Sequence, residues 1–141
     1  MKTSKNGIEL IKKYESCKLT AYKCPAGVWT IAYGHTYAVR PTDKITQEQA
    51  DMMLICDLTE AENCINAVSR KELTQNQFDA LVSFVFNVGC GAFRSSTMLK
   101  LINMGKFTQA ALEFAKWNKS VGKVLEGLTK RRESERLLFV K

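Results

Sequence analysis

Glu15 is where a chemical reading of this chain can start. Ile8, Ile11 and Glu15 fall at i, i+3 and i+7, with Tyr14 beside them and Lys12 and Lys13 pointing elsewhere. That spacing predicts a short helix with Glu15 on its apolar stripe and at its C-terminal end. Desolvation disfavours a carboxylate there, and the negative end of the helix dipole disfavours it further. A carboxyl group kept protonated near neutral pH is what proton donation to a glycosidic leaving oxygen requires. The competing reading is a helix-end Glu that points into water. Arg131 lies three residues after Leu128 and seven before Leu138, so its stem falls on the inward face of the last helix, where a cation needs an acid. His35 is the only histidine; a structural hydrogen bond suits it better than a role as base or metal ligand. Tyr22, Trp29 and Tyr33 could stack on sugar rings, although strand aromatics as readily build a core.

These side chains need elements to hold them. From Leu19 to Thr36 strand formers are interrupted by Pro25, Gly27 and Gly34, which predicts a small antiparallel sheet with tight turns and the only convincing β region. Thr46-Gln47-Glu48-Gln49 reads as a capping box opening a long helix, and Thr74-Gln75-Asn76-Gln77 as a second box. The helix after Thr74 is apolar on nearly every side, should be central, and stops at Gly89 and Gly91. Shorter helices are expected from Ser95 or Ser96 to Met104, from Thr108 to Trp117, and from Thr129 to Phe139 after Gly127. The expected fold class is α+β: an N-terminal helix and small sheet over about 1–45, a connecting helix over about 46–69, and a helical lobe over about 70–141, all within one domain.

Composition narrows the class of function. The chain has 141 residues, 45% of them hydrophobic and 25% charged, which excludes a disordered or fibrous protein. Lys plus Arg (21) exceed Asp plus Glu (14) by seven, a basic balance that favours polyanionic partners. Five scattered cysteines and one histidine build neither a disulfide framework nor a zinc site easily, so reduced thiols in the cytosol are expected. No apolar signal region follows Met1, and no stretch reaches the roughly 18 apolar residues that span a bilayer. Stable membrane insertion is therefore not expected.

The run from Tyr14 and Glu15 through Tyr22, Cys24, Gly27, Trp29, Thr30, Tyr33, Gly34 and His35 to Thr36 resembles the catalytic segment of the phage-type lysozymes, or endolysins, of glycoside hydrolase family 24. Their pattern is Glu, eight residues, Asp or Cys, five residues, Thr, which Glu15, Cys24 and Thr30 match. Gln77 to Phe84, Phe86 to Gly89, Ser95 to Leu99, and Gly127-Leu128 with Arg131-Arg132 extend the likeness over nearly the whole chain. The resemblance implies a lysozyme-like fold and a muramidase that cuts the β-1,4 bond between N-acetylmuramic acid and N-acetylglucosamine of peptidoglycan, with inversion. Glu15 would be the general acid, and Cys24 and Thr30 would hold the attacking water. It further implies Arg131 as the partner of Glu15, with Arg132 as the alternative, an ion pair that would oppose the pKa rise argued above. His35, Tyr33 and Trp29 would support the site. Neither cofactor nor metal is implied. Such enzymes wait in the host cytoplasm for a holin to open the way to the wall, and a monomer is the default.

In inverting glycosidases the base is a carboxylate roughly 6.5 to 9.5 Å from the acid. Here a thiol stands in its place, with a free pKa of about 8.5. Cys24 thus reads as a water-positioning or partly ionised group, with a covalent nucleophile and a small buried hydrophobe as alternatives. Ser16 and Ala32 depart from the family's usual glycines, and a positive φ at Ala32 would strain the sheet. A basic nucleic-acid-binding protein is the rival from another class, but the positive charges are dispersed and no nucleic-acid motif accompanies them. A wall-binding relative with a decayed site is a further rival, against which Glu15 and Thr30 speak.

Overall fold

The computed structural model describes residues 1–141. In chain order the elements are α1 (Lys5–Tyr14), β1 (Lys18–Lys23), β2 (Trp29–Ala32), α2 (Gln47–Val68), α3 (Gln75–Val88), α4 (Cys90–Arg94), α5 (Thr97–Asn103), α6 (Phe107–Glu113) with a 3₁₀ turn over Phe114–Lys116, β3 (Lys119–Ser120), β4 (Lys123–Val124) and α7 (Glu126–Val140). The fold class is α+β, as the pattern of elements predicts.

Both capping boxes form. Thr46 accepts from the Gln49 amide and Thr74 from the Gln77 amide, each at 3.1 Å. The glutamine side chains accept from the cap amides in return, at 2.9 Å in both boxes. Each cap satisfies donors that the first helical turn leaves unpaired, worth about 1 kcal/mol per cap. α3 is the central helix: every residue from Phe78 to Val85 is buried. Phe84 meets Phe93, Phe114 and Trp117 edge-to-face at centroid separations of 6.3, 5.4 and 5.4 Å, the geometry ring quadrupoles prefer. α1 packs on α3 and α7. Its start is pinned by Asp79 of α3, whose Oδ1 accepts from the Ser4 amide at 2.9 Å. Gly7 is required by this contact, because a Cβ there would lie 2.8 Å from Asp79 Cγ.

β1 and β2 pair antiparallel through Tyr22 opposite Thr30 and Lys23 opposite Trp29, with a bulge before Tyr22. The turn is a three-residue loop in which the Gly27 amide donates to Cys24 O at 2.8 Å and the Cys24 amide to Val28 O at 2.9 Å. Gly27 takes φ +79°, the left-handed position that closes such a hairpin. Residues 43–45 lie along the free edge of β1, with the Ala21 amide donating to Asp43 O and the Ile45 amide to Leu19 O. Ala32, at the end of β2, does adopt φ +57°, so the strain foreseen for a Cβ there is present. Its methyl is fully buried, and that burial offsets part of the strain.

Four sequence expectations are corrected. α3 stops at Gly89 as expected, but an unexpected helix, α4, follows at once and takes in Gly91, because Gly89 at φ +93° turns the chain into a new helix. α7 begins at Glu126 and carries Gly127 inside it, since the chain is already held there by the Leu125 amide donating to Asn118 O. A second hairpin, β3–β4, exists beyond the predicted sheet. Cys64 and Cys90 form a disulfide between α2 and the first residue of α4. Cys17, Cys24 and Cys56 are free, so the expectation of uniformly reduced thiols does not hold.

The β3–β4 turn places Val121 at φ +50° and Gly122 at φ +77°, the two positive values of a type I′ turn. A β-branched residue is disfavoured there, and Val121 is 99% exposed, so no packing compensates. Replacing Val121 with Asn, which suits that position, is expected to stabilise the protein by about 1 kcal/mol, a rise of roughly 3 °C in Tm. A calorimetric scan showing an unchanged or lower Tm would contradict the turn assignment.

Candidate active site

Glu15 lies just past the end of α1, its amide closing the last helical bond to Ile11 O at 2.9 Å, and its own backbone is already extended at φ −96°. The helix thus presents the side chain at the point where the chain turns toward β1. Lys18 stands opposite Ala32 across the sheet, so the chain leaving Glu15 enters the strand pair beside the strand that carries Thr30. The carboxyl group keeps 23% of its side-chain surface exposed, neither sealed in the core nor free in water. Arg131 Nη1 donates to Glu15 Oε1 at 2.7 Å, while no protein group bonds Oε2.

Arg131, rather than Arg132, is the partner. Both guanidinium groups are buried on α7, but they serve different acceptors. Arg131 Nη2 donates to Ser83 O at 3.1 Å and its Nε to Glu135 Oε2 at 3.4 Å. Arg132 stacks on the Phe84 ring at 5.0 Å, donates through Nε to Trp117 O at 2.9 Å, and reaches Glu135 Oε1 and Asn87 Oδ1 through its terminal nitrogens. Glu135 is completely buried and takes a further hydrogen bond from the Ser83 hydroxyl at 2.5 Å. Burial pushes its pKa up, an effect opposed by Arg132, Ser83 and Arg131. Sequence reasoning missed Glu135. The available signal was its spacing, four residues after Arg131 and three after Arg132, which puts one acid within reach of both cations on a helix.

Cys24 and Thr30 are brought together by the hairpin. The thiol is half-buried, and its pKa is held below the usual thiol value, chiefly by hydrogen bonding from the Val28 backbone. Partial desolvation opposes this, and the Ala26 backbone and the Thr30 hydroxyl add to it. Thr30 is 3% exposed and gives its single hydroxyl proton to Val28 O at 3.0 Å. In that orientation its oxygen lone pairs are free to accept from a water; rotated, the same proton turns to the sulfur.

The supporting residues divide. His35 has both ring nitrogens engaged: Nδ1 against Asp57 of α2 at 2.8 Å and Nε2 against Tyr37 O at 2.9 Å. It therefore braces the sheet against α2 and has no free nitrogen for a base or a ligand. Tyr33 is 7% exposed; its hydroxyl donates to Asp51 Oδ1 at 3.2 Å and accepts from Gln47 Nε2 at 3.0 Å. Its ring belongs to the core and cannot stack on a ligand. Trp29 stays half-buried beside the hairpin with the Lys23 ammonium 5.5 Å from its ring centroid, and remains accessible. A groove of about 410 Å³ opens between the sheet's end, α2 and the end of α3, lined by His35, Tyr37, Asp57, Glu60, Phe86 and Gly89 among others. Glu15, Cys24 and Thr30 lie outside its lining.

Comparison with known proteins is consistent along the whole chain. Residues 12–135 match the phage lysozyme family. An endolysin of Acyrthosiphon pisum secondary endosymbiont phage 1 is 47% identical over 99% of this chain and 98% of its own length. An endolysin of Bacillus phage B103 is 48% identical over 99% of this chain, which spans only 54% of that longer protein. Among solved structures, the muramidase domain of SpmX from Asticaccaulis excentricus superposes with a TM-score of 0.94 at 42% identity, covering 99% of this chain and 98% of that one.

Proposed function

The chain belongs to the phage lysozyme family, and on that premise we propose that it is an endolysin that hydrolyses the β-1,4 bond between N-acetylmuramic acid and N-acetylglucosamine of peptidoglycan, inverting the anomeric carbon and lysing the host cell. The observation that carries the reading is the state of Glu15. One carboxyl oxygen is fixed by Arg131 at 2.7 Å, and the other is unbonded on a partly exposed group at the junction of helix and sheet. A proton held on Oε2 is thereby free to pass to a glycosidic oxygen without breaking the contact that orients the acid. Loss of the leaving group builds positive charge on the sugar. A water held by Cys24 and Thr30 then attacks from the opposite face, and its proton passes to the thiolate.

The groove lined by His35 and Phe86 offers both halves of the molecule to neighbouring sugars, and Trp29 offers an aromatic face beside the hairpin. The basic balance of seven charges suits anionic wall polymers. No helix is long and apolar enough to cross a membrane, and passage from the host cytoplasm to the wall is assigned to a holin. Digestion of purified peptidoglycan tests the chemistry. Mass spectrometry should find reducing N-acetylmuramic acid ends, and NMR of the first product should find the α anomer. Anhydro ends would replace hydrolysis with an intramolecular transfer, and a β anomer would remove the inverting water.

A further inference from the structure

We propose that Glu135 is a positioning residue that acts on Glu15 through Arg131, holding the guanidinium in place and neutralising it so that Glu15 can carry its proton. This rests on the reading of Glu15 as the acid. Arg131 is gripped at three nitrogens: Nη1 by Glu15, Nη2 by Ser83 O, and Nε by Glu135 at 3.4 Å. Only the Glu135 contact supplies a second negative charge.

The charged groups in this cluster are Glu15 from the end of α1 and Arg131, Arg132 and Glu135 from α7. Ser83 and Asn87 from α3 and the Trp117 carbonyl contribute uncharged partners. Tyr14, the other α1 neighbour, bonds Ser134 at 2.5 Å. Two cations therefore face two anions while Glu15 is ionised. When Glu15 takes up its proton, Glu135 is the sole anion left opposing Arg131 and Arg132. Without it, a buried pair of cations beside Glu15 would favour expelling that proton. Glu135 is fully buried, so it cannot touch a substrate and any effect must travel through Arg131.

The test is Glu135→Gln, which keeps size and removes the charge. The Glu15 carboxyl carbon, followed by 13C NMR through a pH titration, should titrate about one pH unit lower than in the parent protein. At a pH above both midpoints kcat should then fall about tenfold, with KM unchanged. A folded Gln variant with the parent titration and kcat overturns the proposal. Should that variant fail to fold, Glu135→Asp decides: it keeps the charge but withdraws the carboxylate from Arg131 Nε. Lower kcat with the titration of Glu15 nearly preserved supports the proposal, and parent kcat overturns it. Activity surviving in Glu15→Gln would instead defeat the assignment of the acid, a separate failure.

Discussion

Glu15→Gln is expected to reduce wall hydrolysis by roughly 10³-fold or more, within or beyond the range of about 10² to 10⁴ that general acid catalysis contributes, because an amide of the same shape has no proton to give. The fold should persist. Gln Oε1 can still accept from Arg131 Nη1, and Arg131 keeps Glu135 and Ser83 O as partners, so its buried charge is not abandoned. The informative measurement is therefore turnover on purified peptidoglycan alongside a thermal melt of the same sample. Turnover within a few-fold of the parent, from a protein that melts normally, would remove Glu15 from the chemistry. A collapsed melt would mean that the ion pair with Arg131 is mainly structural, and a Glu15→Asp variant would be needed to separate geometry from charge. The effect should exceed that of any change at His35, whose two nitrogens are both committed to Asp57 and Tyr37.

How far such a site can be read from sequence depends on whether the determining interaction is local. The two capping boxes and the apolar run from Phe78 to Val85 are local, and the helices start where their side chains say they must. The helix that leads to Glu15 is local as well, although it ends at Tyr14 and leaves Glu15 one residue past it, as an extended C-cap and not on the stripe. The β3–β4 hairpin was illegible because its turn places a valine where valine is disfavoured, so propensity argues against the structure that forms. The Cys64–Cys90 bond joins residues 26 apart that meet only when α4 folds back on α2. Glu135 sits in a segment rich in Lys, Arg and Glu that reads as a wet face, yet packing of α7 on α3 buries it. Cys24 and Thr30 entered through family likeness alone, since nothing in a Cys and a Thr six residues apart announces a shared water. Only the hairpin's register, Tyr22 opposite Thr30 with Gly27 in the turn, sets them side by side.

The water proposed to lie between them makes Cys24 the position where two variants separate three chemistries. Cys24→Ala removes the group and is expected to lose most turnover, about 10²-fold or more if the sulfur takes the water's proton. Cys24→Asp is expected to remain active, because a carboxylate can accept the same proton, and the ratio of its rate to the parent's should depend on pH in a defined sense. An aspartate with an ordinary pKa near 4 is ionised throughout the range above about pH 5. The Cys24 thiol is held below its usual pKa by hydrogen bonding from the Val28 backbone, but it stays largely protonated at pH values below its own midpoint. The ratio of Asp variant to parent should thus be greatest at acid pH and decline toward a constant as pH rises through the thiol's midpoint. Protonation of Glu15 enters both rates and cancels from the ratio, which isolates the base. A ratio that is flat with pH, in an active Asp variant, would mean that the sulfur only positions the water and does not take its proton. An inactive Asp variant beside an active parent would point to a step that needs sulfur itself, a covalent glycosyl thioether, and the water-mediated inverting scheme would have to be given up.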